Sequence, residues 1–174
     1  CDRATGLWYH GWSFQEKNNF AGAFWGRGNC WITMAIPEFL AIHDCSRPVK
    51  RLLVNTLKAQ IASLQAYQAP DGMWHTLVDD EDSYVEASAT CGFAYGILKA
   101  VKDGLADRSC LETAARAAAP ILDYISDEGV VNQVSYGTPM GRLSKDFYKE
   151  IELRPMPYGQ ALAILFLMEY RTMV

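Results

Sequence analysis

Apolar residues spaced by three and four mark out helices along most of this chain. Leu53, Leu57, Ile61 and Leu64 give a firm amphipathic helix that starts at Ser46-Arg47-Pro48, with proline in its first turn, and runs to about Tyr67. Residues 28 to 43 read as a helix with Trp31, Met34, Ala35, Phe39 and Ile42 roughly on one stripe, and Pro37 is expected to kink it or end its first half. Ser83-Tyr84-Val85-Glu86 fits a capping box that opens a helix rich in small residues, running to Lys102 with Gly104 as its stop. Ser109-Cys110-Leu111-Glu112 is a second such box, for a helix to about Ile125. The last helix carries Ala161, Leu162, Leu165, Met168 and Glu169 toward the C-terminus.

What separates these helices repeats. Thr5-Gly6-Leu7-Trp8-Tyr9-His10 and Asp71-Gly72-Met73-Trp74-His75 are alike, and each precedes a loop, a helix, a short link and a second helix. Glu128-Gly129-Val130 begins a third round, which is followed by the long unassigned loop from Gly137 to about Pro157. A period of roughly 60 residues built from helix pairs is the mark of stacked α/α hairpins, none of which buries its apolar face alone. The expected fold is all-α, hairpin repeats with short extended pieces between them. Closing such hairpins into a ring takes about six, and this chain holds fewer than three. Half a barrel should leave several hundred Å² of apolar surface open, more than soluble monomers tolerate, for another part of the same protein or a second chain to cover.

Composition narrows the function classes. Among 174 residues, 50% are apolar and 21% charged, which excludes a disordered chain. The formal charge of -4, with 16 basic residues dispersed among 20 acidic ones, offers no basic patch for nucleic acid. No apolar run is long enough to span a bilayer, and Cys1-Asp2-Arg3-Ala4-Thr5-Gly6 has no signal-peptide pattern. The cysteines Cys1, Cys30, Cys45, Cys91 and Cys110 are odd in number, widely spaced and without metal-site spacing, so they read as small buried hydrophobes in a reducing cytoplasm.

The chemistry concentrates in Trp25-Gly26-Arg27-Gly28-Asn29-Cys30-Trp31. A guanidinium offers a rigid fork of donors suited to a carboxylate, and an indole beside it offers a flat apolar face for a sugar ring. The glycines would let ligand and main chain come close, and Asn29 would cap the following helix. The same heptapeptide is equally consistent with packed aromatics, a stacked arginine and a tight helix start. Elsewhere, Asp79 to Asp82 read as a solvated loop favourable near a helix N-terminus, Glu86 as a cap, and His43 and His75 as structural.

Four stretches occur together in order: Leu7-Trp8-Tyr9-His10-Gly11-Trp12, Trp25 through Trp31, Asp79 through Thr90, and Pro157-Tyr158-Gly159-Gln160-Ala161-Leu162. In order and spacing they resemble the C-terminal half of glycoside hydrolase family 105, the unsaturated rhamnogalacturonyl hydrolases, which is related to the unsaturated glucuronyl hydrolases of family 88. The resemblance covers nearly the whole chain. It implies an (α/α)6 barrel of which residues 1–174 are the C-terminal half, with the N-terminal half lying outside this chain. It implies an enzyme that removes an unsaturated uronic acid from pectin-derived oligosaccharides without metal or organic cofactor. An aspartic acid protonates the double bond, water adds, and the hemiketal collapses. By position, His10, Trp25, Arg27 and Trp31 correspond to substrate-holding residues. The catalytic aspartate lies upstream of these motifs, so no catalytic residue is expected in this chain, which would be inactive alone. Cys30 stands where the family motif has glycine, which puts close ligand approach there in doubt. The alternative is a non-catalytic carbohydrate-binding or interaction module derived from such an enzyme.

Overall fold

The computed structural model describes residues 1–173. Seven α-helices follow one another: α1 (Gly26–Ile42), α2 (Arg47–Ala66), α3 (Ala87–Lys102), α4 (Leu111–Arg116), α5 (Ala118–Asp123), α6 (Asp146–Lys149) and α7 (Pro157–Met173). Among the described residues the extended pieces pair only as isolated antiparallel bridges, such as Trp25 with Leu77, His75 with Val85 and Ser135 with Leu153. No helix among them is long and apolar enough to cross a membrane.

Helices α1, α3 and α7 stand side by side, with α3 in the middle, while α2 packs on α1 and α4 on α3 as an outer layer. This arrangement explains why α3 is built from Ala, Ser, Gly and Cys: it has neighbours on nearly every side, and thirteen of its sixteen residues are buried. Gly92 and Gly96 lie one turn apart on the side facing α1. A Cβ on Gly92 would stand 2.8 Å from Cys30 Cβ, and one on Gly96 would stand 2.6 Å from the carbonyl oxygen of Thr33. That carbonyl is the one Pro37 cannot donate to, since proline has no N–H for the residue four before it. The helix does not end at Pro37, which lies inside α1, and the carbonyl left free is covered by a glycine of the neighbouring helix.

The pattern misassigned some faces. On α1 the core face is Cys30, Thr33, Met34, Ile36 and Pro37, while Trp31, Phe39 and Ile42 of the expected stripe are exposed. On α7 the buried set is Gly159, Leu162, Ala163 and Phe166, with Leu165 and Met168 exposed. The two outer flanks of the three-helix row are thus apolar and open: Phe39 and Ile42 with Val49 and Leu52 of α2 on one side, and Ile164, Leu165 and Met168 on the other. The fourth predicted helix is also divided. It starts as a 3-10 turn at Arg108–Cys110 capped by Asp107, then breaks into α4 and α5 at Ala117. The break falls where Pro120 cannot bond to the carbonyl of Arg116.

The repeat is visible in the backbone. Gly6, Gly72 and Gly129 all have left-handed φ, at 69°, 98° and 79°, and the first two are seated against the backbone of an outer helix, at Gln60 of α2 and Arg116 of α4. Each is followed by an extended piece: in the first Leu7 and Tyr9 pack on the core and Trp8 is exposed, while in the second both Met73 and Trp74, at the matching position, are buried.

Gly96→Ala is expected to lower the unfolding free energy by about 1 to 3 kcal/mol, because the added methyl meets rigid backbone, although alanine is the better helix former. A urea unfolding curve with a lower midpoint and unchanged slope would show it; a raised midpoint would mean that α1 and α3 have room to part.

Candidate active site

Three helix N-termini converge on one side chain. Arg27 lies in the first turn of α1, Glu86 is the N-cap of α3, and Tyr158 lies in the first turn of α7. Arg27 is 1% exposed and its Nη1 is 3.2 Å from Glu86 Oε1, itself on a side chain 1% exposed. The same nitrogen is 3.0 Å from Ser88 Oγ and within 3.1 Å of both oxygens of Ser135, and Nη2 donates to the carbonyl of Gly137. The flat guanidinium lies between two rings, 4.7 Å from the Trp25 ring centre and 4.4 Å from that of Tyr158. A cation in the first turn of a helix is opposed by the helix dipole, and a carboxylate at an N-terminus is favoured by it. Glu86 therefore answers both problems, and it also accepts from the backbone N–H groups of Ala89 and Ser135.

The expectation that the Arg27 fork is open to a ligand carboxylate needs correction: both of its terminal nitrogens are spent inside the protein. One donor remains. Arg27 Nε and, next to it in the cluster, Trp25 Nε1 are buried with no acceptor among the described residues, and a buried donor without a partner calls for an explanation.

His10 completes the cluster. Its ring lies 4.4 Å from that of Trp25, and its Nδ1 is 2.6 Å from the hydroxyl of Tyr148. Burial, with the Arg27 charge adding to it, holds its pKa below the ordinary imidazole value, so it is neutral near pH 7. The segment bearing it is tied to the start of α1 by Asn29, which accepts from the N–H of Trp8 and donates to its carbonyl. Asn29 is thus not the expected cap: the helix begins three residues earlier, at Gly26, with no side-chain cap.

The glycines and Cys30 of the heptapeptide serve packing. A Cβ on Gly26 would be 2.9 Å from the carbonyl oxygen of His75, and one on Gly28 would be 3.0 Å from the Trp25 indole. Neither has left-handed φ, and Cys30 points at α3, with burial pushing its thiol pKa up. So the structure brings His10, Trp25 and Arg27 together. Trp31 lies one turn beyond Arg27 on the same side of α1, 43% exposed.

The acidic run has a definite task. Asp79 pairs with Lys145 at 3.0 Å and Asp80 with Lys149 at 2.8 Å, fastening α6 and its Tyr148 over His10. His75 hydrogen-bonds the carbonyl of Ser83, and His43 packs at a tilt against Phe39, both as structural residues. Sequence reading missed Tyr148, Ser88 and Ser135, and saw only half of Glu86. Tyr158 and Glu86 were within reach, since both lie in motifs already singled out; Tyr148 sits in a loop with no periodicity to mark it.

Helix hairpins in a row, with a buried arginine at the N-termini of the inner helices, define a chain of the (α/α)6 barrel class. The chain belongs to glycosyl hydrolase family 88, whose profile matches residues 1–174. It is 31% identical over 166 residues to the unsaturated rhamnogalacturonyl hydrolase YesR of Bacillus subtilis, covering 95% of this chain and 46% of that protein. Among solved structures it is similar to a possible member of glycoside hydrolase family 105 from Salmonella enterica serovar Paratyphi A, with 52% identity and a TM-score of 0.94, over 97% of this chain and 45% of that one. A possible member of the same family from Klebsiella pneumoniae gives 51% identity and a TM-score of 0.92 over the same shares. The chain thus spans about half the length of these relatives.

Glu86→Ala is expected to cost about 3 to 5 kcal/mol of stability, because it strands a buried guanidinium as well as removing the α3 cap. Thermal or denaturant unfolding measures it, and a loss under 1 kcal/mol would show that water reaches Arg27.

Proposed function

We propose that this chain forms the substrate-holding wall of a glycosidase that removes an unsaturated uronic acid from pectin-derived, rhamnogalacturonan-type oligosaccharides. Family membership supports the reaction class, and the printed name of the Bacillus subtilis relative supports the substrate class. The observation that carries the assignment to this cluster is the packing of His10 on Trp25 and of Trp25 on the buried Arg27 cation, with Trp31 exposed one turn along α1. The side chains of Trp25 and Arg27 are both sealed from solvent, so they act on a uronic acid carboxylate from behind the surface, through the positive charge of Arg27. In this reading His10 and Trp31 offer exposed surface to the sugar, and Trp25 and Arg27 stand behind them.

The reaction is hydration of a vinyl ether. A carboxylic acid gives its proton to the double bond, water adds to the resulting oxocarbenium carbon, and the hemiketal opens to release the rest of the sugar chain. We assign the acid to an aspartate outside these 174 residues. The carboxylates nearest the cluster have other work: Glu86 is sealed in with Arg27, and Asp79 and Asp80 are paired with lysines. The open flanks of α1 and α7 are then where the other half of the barrel packs. Cytoplasmic residence belongs to the same proposal, in keeping with five unpaired cysteines.

The protein at its full native length is expected to abolish the ultraviolet absorbance of an unsaturated galacturonyl disaccharide, whereas residues 1–174 alone are expected to leave it unchanged. Arg27→Lys should weaken substrate by about 1 to 3 kcal/mol, since lysine has no Nε–H and cannot hold the fork contacts. Turnover by residues 1–174 would overturn the assignment of the acid, and unchanged affinity in Arg27→Lys would remove Arg27 from the substrate wall.

A further inference from the structure

Tyr148 is the one neighbour of His10 that the proposed reaction leaves unexplained. Its side chain is buried to 1% exposure although it sits on the four-residue α6, within the longest irregular stretch of the chain. Its position is fixed from several sides. The ring meets Phe147 edge-on at 5.6 Å and lies 6.5 Å from Trp25. Gly141 closes over it so tightly that a Cβ there would come within 2.9 Å of the ring. Lys145 and Lys149, flanking the tyrosine in sequence, are both held by the acids that precede α3. Two ion pairs on a turn this short are an unusual investment for a residue that only fills space.

The hydroxyl lies 2.6 Å from His10 Nδ1, and one proton serves that contact. The tautomer sets which group donates, and a phenol is the better donor and an imidazole nitrogen the better acceptor, which favours the hydroxyl as donor. The charged and titratable groups facing His10 are Arg27 from α1 and Tyr148 from α6; burial, with the Arg27 charge adding to it, disfavours the imidazolium. With Nδ1 accepting, the single ring hydrogen sits on Nε2.

We propose that Tyr148 is a positioning residue that locks His10 as the Nε2–H tautomer, so that the imidazole presents a hydrogen-bond donor to a substrate oxygen and cannot serve as the base that activates water. The inference rests on the reading of His10 as substrate-facing. It adds that the 141–149 loop, through the Asp79–Lys145 and Asp80–Lys149 pairs, decides which form of His10 the substrate meets.

The direct test is nitrogen NMR of histidine-labelled protein at full native length, with the His10 signals identified by their loss in His10→Gln. Wild-type protein is expected to show His10 as the Nε2–H tautomer alone; an Nδ1–H signal would overturn the proposal without need of any variant. In Tyr148→Phe, which keeps the ring and its packing, His10 should become a mixture of tautomers and kcat/KM should fall tenfold or more. A single unchanged tautomer in that variant would equally overturn it. Because the tautomer is read without substrate, absence of turnover by wild-type protein would refute the proposed reaction while leaving this question decided on its own.

Discussion

The ion pair of Arg27 and Glu86 is closed to water, and a charge pair so enclosed fixes its surroundings in a way that apolar packing does not. Removing either charge from water costs several kcal/mol, and only short, well-directed contacts on every side offset it. Those contacts come from four separate parts of the chain: the start of α1, the cap and first turn of α3, Ser135 to Gly137, and the ring of Tyr158. Each part is thereby held to the others within hydrogen-bond tolerance. The Trp25 indole, on which His10 rests, is one face of the same sandwich.

Such precision needs a rigid base, and the α1–α3 contact supplies it. Gly92 and Gly96 let two helices approach until side chain and backbone touch. The N-termini above them then keep their separation, and with it the reach of Arg27 to Glu86. The link from sequence to site is direct here: a proline that frees the Thr33 carbonyl, a glycine that covers it, and a guanidinium two turns away that depends on the spacing. Over the mouth of the cluster, the acids of 79–80 draw in α6, so the loop without periodicity is positioned by charge where the helices are positioned by packing.

The fold was legible because helix pairs and their Gly-led turns recur, and recurrence survives errors of detail. Faces were less legible. Trp31, Phe39 and Ile42 look like a core stripe to any reading by spacing, yet they are exposed, because α1 turns Cys30, Thr33, Met34 and Ile36 to the core instead. Spacing reports that a helix has an apolar side, and it says nothing of which of two apolar sides meets which neighbour. In the site, Arg27, Trp25 and His10 were marked by residue type and motif. The partner that neutralises Arg27 was hidden behind its second role, since a glutamate at a helix start is already explained as a cap. Tyr148 was hidden altogether, for it is brought to His10 across 138 residues of chain by two ion pairs that no local pattern announces.

The central claim is that the buried pair is kept for the geometry of a substrate wall more than for stability. Turnover by the Arg27→Met, Glu86→Leu double variant, at full native length and shown folded, tests it most directly. Replacing both charges by apolar groups of similar size avoids a stranded charge but leaves the Ala89 and Ser135 N–H groups without their acceptor, so the variant should be less stable than the wild type and is assayed well below its unfolding midpoint. The account predicts that such a folded protein has lost hydrolysis of unsaturated uronides. Wild-type turnover in that variant would contradict it.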